Sequence, residues 1–447
     1  QEEAREIVAY AADRYITVIP EIDLPGHMQG ALAAYPHLGC TGGPYEVWKI
    51  WGVSDQVLCA GNDSVLTFID DVLTEVMDIF PSEYIHVGGD ECPKTEWAKC
   101  PKCQARIKAL GIKSDAKHSK EEYLQSFVIN HAEKFLNEHG RNIIGWDEIL
   151  EGGLAPNATV MSWRGVEGGL NAAKAGHNAI MTPNPYAYLD QYQEEPEIAP
   201  VTIGGYNTLK KTYSYNPVPD DANELVKMHI IGVQGNIWTE YMPGNDNRDY
   251  QAFPRAVAIA ETGWTLNANK NWNNFCQRMV EDFRRMDVKN VKACRNFFDV
   301  NINTHVDETN TLKVVLESFY PNAEIHYTTN GSVPTVESAI YNQPQGSDDI
   351  AGAIMAVWQD RVVVPEENVI RENAFYPNML AFAERSWRGG GSEYFDRNGT
   401  VLPGEDSEEF KSFADFEERM LWHKEHHFKG YPFAYVKQTN VKWNITD

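Results

Sequence analysis

The chain has 447 residues, 43% of them hydrophobic and 23% charged, which is a globular composition rather than a disordered one. Asp and Glu number 64 against 39 Lys and Arg, a formal net charge of −25. That balance argues against nucleic acid or an anionic membrane as the main partner, because both need a basic face. No membrane span is expected either, since the longest apolar run, Ile350–Trp358, is far too short. The 12 Trp and 21 Tyr suggest either a large core or a site that stacks sugar rings.

The chain opens on Gln1, without a Met or a signal peptide. Its first dozen residues read as a helix with Ala4, Ile7, Val8 and Ala11 on one face. A domain rarely begins in mid-unit, so the expectation is a fragment whose true start lies upstream. Short apolar strands then alternate with amphipathic helices. The strands read as Tyr15–Asp23, Tyr84–Glu91, Asn142–Ile149, Thr159–Gly165, His177–Pro183 and Ile230–Trp238. Helical patterns such as Ser64–Phe80 and Ser119–Glu138 lie between them. This repetition points to α/β structure with a parallel sheet, specifically a (β/α)8 TIM-type barrel lacking its first two strands, over residues 1–299.

Leu266–Asp299 reads as helical. Residues 300–345 read as a small β-rich segment, with strands at Thr311–Phe319 and Glu324–Thr329 and a turn at Asn330–Pro334. Residues 346–447 contain a repeat of the barrel's end. Gly352–Trp358 echoes Gly232–Trp238, and Tyr376–Trp387 echoes Phe253–Trp264. The tail therefore reads as a duplicated terminal β/α unit, the end of a second related chain. One expectation is that Gly352–Trp358 docks on an open barrel edge, beside Tyr15–Asp23 or Ile230–Trp238.

Seven cysteines leave several arrangements open. Cys40 and Cys59 bracket a Gly/Trp-rich loop and suit a loop-closing disulfide. Cys100 and Cys103 form a lone CxxC with Cys92 upstream, resembling an incomplete zinc knuckle. Free thiols are the remaining option.

The strongest chemical signal is His86-Val87-Gly88-Gly89-Asp90-Glu91 at the end of a strand, where barrel active sites lie. Paired glycines let a ligand approach the backbone. Adjacent carboxylates repel, so one can be raised enough in pKa to serve as a general acid. Other strand ends carry Glu21–His27, Trp146-Asp147-Glu148, Trp163-Arg164, Tyr186–Asp190 and Trp238-Thr239-Glu240. Three Trp at strand ends, each beside a polar residue, suggest an aromatic-walled sugar pocket.

Together HVGGDE, EIDLPGH, GWDEI, MSWRG, AYLD and NIWTE resemble glycoside hydrolase family 20, the β-N-acetylhexosaminidases, from Gln1 to about Pro344. The resemblance implies a retaining exo-glycosidase whose nucleophile is the substrate's own 2-acetamido oxygen, an exception to the two-carboxylate scheme. It implies Glu91 as general acid and base, Asp90 as the group that orients the acetamido N–H, and Tyr188 as donor to the acetamido oxygen. A charged Asp90 would also help keep Glu91 protonated. Trp146, Trp163 and Trp238 would wall the pocket, Asp190 and Glu240 would bind sugar hydroxyls, and His27 would sit beside the acid. The resemblance implies no metal and no cofactor. The partner implied is a glycan ending in GlcNAc or GalNAc, and the expected location is the periplasm, cell surface or medium of a bacterium.

The chain departs from the family pattern in three places. The strands expected to supply a sugar-gripping Arg and an Asp partner for the histidine are not seen. The family's N-terminal α/β domain is not seen. A further pocket Trp has no counterpart between Gln191 and Pro219, leaving Tyr206 or Tyr213 as substitutes. Two other readings follow: a truncated barrel that only binds amino sugars, and a metal-dependent hydrolase with His86, Asp90 and Glu91 as ligands. The second lacks the extra strand-end histidines that metal barrels bring.

Overall fold

Six short segments make the central sheet of the computed structural model. They are β1 (Glu21–Leu24), β2 (Tyr84–Gly88), β3 (Asn142–Trp146), β4 (Thr159–Ser162), β5 (Ala179–Met181) and β6 (Ile230–Val233). Each pairs in parallel with the next, so spatial order equals chain order. β2, β3 and β4 are buried almost end to end. Parallel strands covered on both faces need such uninterrupted apolar runs. The structure describes residues 1–196, 198–306, 312–329, 332–342, 345–346 and 408–426.

The helices cover the sheet through regular apolar stripes. The helix Asp63–Ile79 buries Val65, Ile69, Leu73 and Val76, and its Asn62 cap accepts the Ser64 N–H. The helix Lys120–Glu138 buries Leu124, Val128, Ala132 and Leu136 behind a Ser119/Glu122 capping box. The first helix, Glu2–Ala12, differs: only Ala11 is buried, and Ile7 is exposed.

The strands are shorter than the sequence suggests. β1 begins at Glu21 rather than Tyr15, because Tyr15 has a left-handed backbone and Pro20 has no N–H to give a ladder. Pro20 still accepts the His86 N–H through its carbonyl. The strand-end motifs therefore lie in loops just past the sheet.

Among the described residues, β1 and β6 are the sheet's edges. Tyr15, Ile16 and Ile19 lie exposed just before β1, and Met228 and Ile231 lie exposed at β6. Loop cysteines do not pair: all seven are free thiols.

Contacts divide the chain into two units, Gln1–Phe298 and Asp299–Asp447. In the first, the helical stretch after Leu266 resolves into a helix at Trp272–Val288 flanked by short 3-10 turns. In the second, β7 (Val300–Val306) and β8 (Leu312–Ser318) pair antiparallel, with β11 (Gln345–Gly346) on the far side of β8. β9 (His326–Tyr327) pairs with β10 (Ala339–Ile340). A helix runs over Glu408–His426. The repeated unit Gly352–Trp387, and with it the docking expectation, lies outside the described residues. None of the described helices is long and apolar enough to cross a membrane.

Candidate active site

All nine residues singled out from the sequence line one cleft of about 630 Å³ past the strand ends: His27, Asp90, Glu91, Trp146, Trp163, Tyr188, Asp190, Trp238 and Glu240. Glu21, Asp23, Trp48, Trp51, Asn184 and Gln191 line it too. Local backbone chemistry explains how the acid pair gets there. A Cβ on Gly88 would lie 1.8 Å from an Asp23 carboxylate oxygen, so only glycine lets β2 pass β1 at this point. His27 and Glu91 both adopt left-handed backbone, at φ 51° and 44°. Non-glycine residues hold that conformation only where the surroundings enforce it, which is common at functional sites.

The β1–β2 wall is a charge cluster. His27 Nε2 lies 3.5 Å from Asp90 Oδ2 and 3.3 Å from Glu91 Oε2. Hydrogen bonds to these two carboxylates raise the imidazole pKa to about 10, so His27 is a cation at neutral pH. The repulsion expected between Asp90 and Glu91 is thus offset by a positive charge held between them. Burial, reinforced by the charge of Asp90, pushes the Asp23 carboxyl up to about 9. Asp23 is therefore neutral at pH 7 and bonds Asp90. Its Oδ1 also accepts the Gly89 N–H. Glu21 accepts the Trp146 indole N–H at 2.9 Å, and burial raises its pKa.

Depth separates the adjacent carboxylates. The Asp90 side chain is 13% exposed and Glu91 40%. Asp90 lies on the cleft floor and Glu91 nearer its mouth.

Aromatic rings line the same cleft beside this cluster. Trp163 stacks on Tyr188 at 6.1 Å and 24°. Trp238 packs against Trp146 at 5.9 Å and against Tyr188 at 6.4 Å. These rings make a box of four sides, with the Trp163 indole N–H turned away to Glu148. Asp190 lines the same cleft, is 3% exposed, and no other described residue bonds either of its oxygens. Burial raises its pKa to about 6. Such a carboxylate is suited to accept hydrogen bonds from a ligand.

Sequence reasoning missed the supports of this wall. Arg164 grips Asp147 and Glu151 and holds the loop after β3. Arg255, fully buried, donates to the carbonyls of Leu189, Gln191, Asn207 and Gln251, and so holds the loop that carries Asp190. Neither Tyr206 nor Tyr213 is among the residues that line the cleft. Tyr206 is 44% exposed, and Tyr213 is buried against Trp272 and Phe275. Trp48 and Trp51, from the loop between Cys40 and Cys59, supply the extra rings instead.

The metal-hydrolase trio does not assemble. His86 is buried against Trp146, with its Nδ1 3.3 Å from Glu21. Among the described residues, the three-group cluster of carboxylates and imidazole with ligand spacing is Asp23, His27 and Asp90.

Residues 1–267 match the model of the glycosyl hydrolase family 20 catalytic domain, and residues 314–346 match an "Fn3 associated" model. A β-hexosaminidase of Porphyromonas gingivalis is 45% identical over 347 residues, covering 77% of this chain and 44% of that protein. A β-hexosaminidase of Vibrio furnissii is 38% identical, covering 59% of this chain and 43% of that protein. The chain thus spans about half the length of the curated relatives it matches. Among solved structures, the Vibrio harveyi exo β-N-acetylglucosaminidase bound to N-acetylglucosamine is 32% identical. It superposes with a TM-score of 0.58, covering 66% of this chain and 46% of that one. With the family model matched from Gln1 through β6 and the helix behind it, the chain belongs to glycosyl hydrolase family 20.

Proposed function

We propose that this cleft hydrolyses terminal β-linked N-acetylhexosamines by a retaining, substrate-assisted mechanism. One observation carries the reading: a carboxylate pair of different exposure and four packed aromatic rings line a single cleft. The box fits a flat acetamido group and a pyranose face. Asp90, on the floor, accepts the acetamido N–H and turns the carbonyl oxygen toward the anomeric carbon. The Tyr188 hydroxyl donates to that oxygen. As the oxygen forms its bond to the anomeric carbon, the glycosidic bond breaks. Glu91, at the mouth, gives its proton to the departing oxygen. The resulting oxazolinium cation is faced by the Asp90 carboxylate. Glu91 then takes a proton from water, which attacks the same face and reopens the ring, so configuration is retained. Asp190 and Glu240 hold sugar hydroxyls.

The finer architecture is part of the proposal. We read the six strands as consecutive strands of a (β/α)8 barrel that two more would close. The exposed apolar residues beside β1 and β6 support this, because ring closure would cover them.

The test pairs two chromogenic substrates, an aryl N-acetyl-β-glucosaminide and the matching β-glucoside. Turnover of the first alone is expected. Equal turnover of both would remove the acetamido group from the mechanism. Binding of N-acetylglucosamine without turnover would leave the chain a sugar-binding module.

A further inference from the structure

Away from the catalytic carboxylates, four thiols converge. Cys59 Sγ lies 3.7 Å from Cys100 Sγ and 3.6 Å from Cys103 Sγ, and Cys40 Sγ lies 3.9 Å from Cys103 Sγ. All four sulfurs lie within 4.8 Å of one another. Cys92, the nearest cysteine in sequence to the CxxC, is not in the group.

Backbone contacts bring the four together. Gly39 and Leu58 form an antiparallel bridge, and the Cys59 N–H donates to Leu38, which sets Cys40 beside Cys59. The turn after Cys59 presses on the CxxC itself: a Cβ on Gly61 would fall 2.2 Å from the Lys102 carbonyl carbon. Cys100 is the N-cap residue of the helix Pro101–Ala109, which carries Cys103 in its first turn.

We infer that Cys40, Cys59, Cys100 and Cys103 bind one zinc ion in a closed tetrahedral site. At a Zn–S distance of about 2.3 Å, a tetrahedron has sulfur–sulfur edges of about 3.8 Å. The observed separations bracket that value. They do not single out bonded pairs, which need about 2.05 Å. Four sulfur ligands fill the coordination shell, so the ion is structural and has no open position for catalysis. All-sulfur tetrahedral donors select zinc over magnesium or calcium. Each ligand forms by loss of one thiol proton to solvent as the ion binds.

The site joins two parts of the cleft. Cys40 and Cys59 anchor both ends of the loop that brings Trp48 and Trp51 to the cleft wall. Cys100 and Cys103 follow Glu91 in the chain, just after the short helix Thr95–Lys99. Zinc would fasten the aromatic rim to the segment that carries the acid.

The test is metal analysis of the full chain purified without chelators. About one zinc per chain is expected, falling below about a tenth in C59S and C103S and staying whole in C276S. Because the first two variants are open to misfolding, the unmodified protein gives a second reading. A mercurial reagent should release its zinc as it titrates four thiols. Cobalt exchanged into the stripped protein should give the intense visible bands of tetrahedral thiolate coordination. A metal-free protein, one carrying iron instead, or one whose mass shows disulfides would overturn the assignment.

Discussion

On the β1–β2 side of the cleft, charges are held by other charges: His27 lies between Asp90 and Glu91, and neutral Asp23 bonds Asp90. On the aromatic side, the ion pairs of Arg164 lie behind the rings, and the loop that carries Asp190 is held by its backbone carbonyls bound to Arg255. There the buried carboxylate of Asp190 has no side chain in hydrogen-bond contact to neutralise it. Under the proposed mechanism, the difference separates two tasks. A wall that moves protons needs groups whose charge states depend on one another. A wall that recognises a sugar needs fixed shape and unoccupied acceptors.

The largest effect should come from the wall to which we assign proton transfer. Glu91→Gln should lower kcat by about 10²–10⁴-fold on poor leaving groups and much less on activated aryl glycosides. Equal losses on both would break the division, because Glu91 would then not be the acid.

Arg255→Met tests the other wall. It strands four carbonyls in a buried site, and a loss of about 3–5 kcal/mol of unfolding free energy is expected in denaturant titration. A loss under about 1 kcal/mol would mean that ring packing alone holds the loop.

Asp190→Asn should raise KM by about tenfold with little change in kcat, the loss of roughly one charge-assisted hydrogen bond. The fold should be no less stable. A carboxyl whose pKa is raised to about 6 by burial opposes folding once ionised, so above about pH 4 the amide removes a penalty. A fall in kcat as large as that in kcat/KM would place Asp190 in the chemistry instead.

The smallest effect is a shift in pH profile. Activity should decline as pH rises through about 9 to 10, where Asp23 ionises and His27 loses its proton. The His27 contribution to stability, present in full below about 6.5, is lost over the same rise toward 10. Asp23→Asn mimics the neutral acid, so it should keep activity at pH 7 and move the decline upward. An unchanged profile would show that Asp23 does not titrate there.

Much of the site was legible because parallel strands deliver their C-terminal ends to one surface. Reading where strands stop therefore put Asp90, Trp146 and Trp163 together without any knowledge of pairing. The missed residues act by other routes. Trp48 and Trp51 sit in a long loop with no periodicity, and only their location between Cys40 and Cys59 marked them. The four thiols meet through the Gly39–Leu58 bridge, a contact nineteen residues apart that spacing rules do not encode. Cys92, nearer in sequence, was the wrong partner for that reason. Arg255 binds carbonyls, which every residue has, so no sequence pattern announces its targets. Strand ends were overread because apolar runs continue into extended chain that makes no ladder, as before Glu21.

The Arg255 grip has a consequence for how this family member can change. The loop it suspends is held by main-chain oxygen atoms at Leu189, Gln191 and Asn207, and these persist whatever side chains replace those residues. Side chains beside Asp190 are therefore open to exchange without moving the carboxylate or the box. Selection, or a directed library across residues 191–206, would be able to retune which sugar or which neighbouring unit is accepted while the scaffold stays in place. Lysine at 255 would end that freedom, since one ammonium lacks the guanidinium's planar fork of donors.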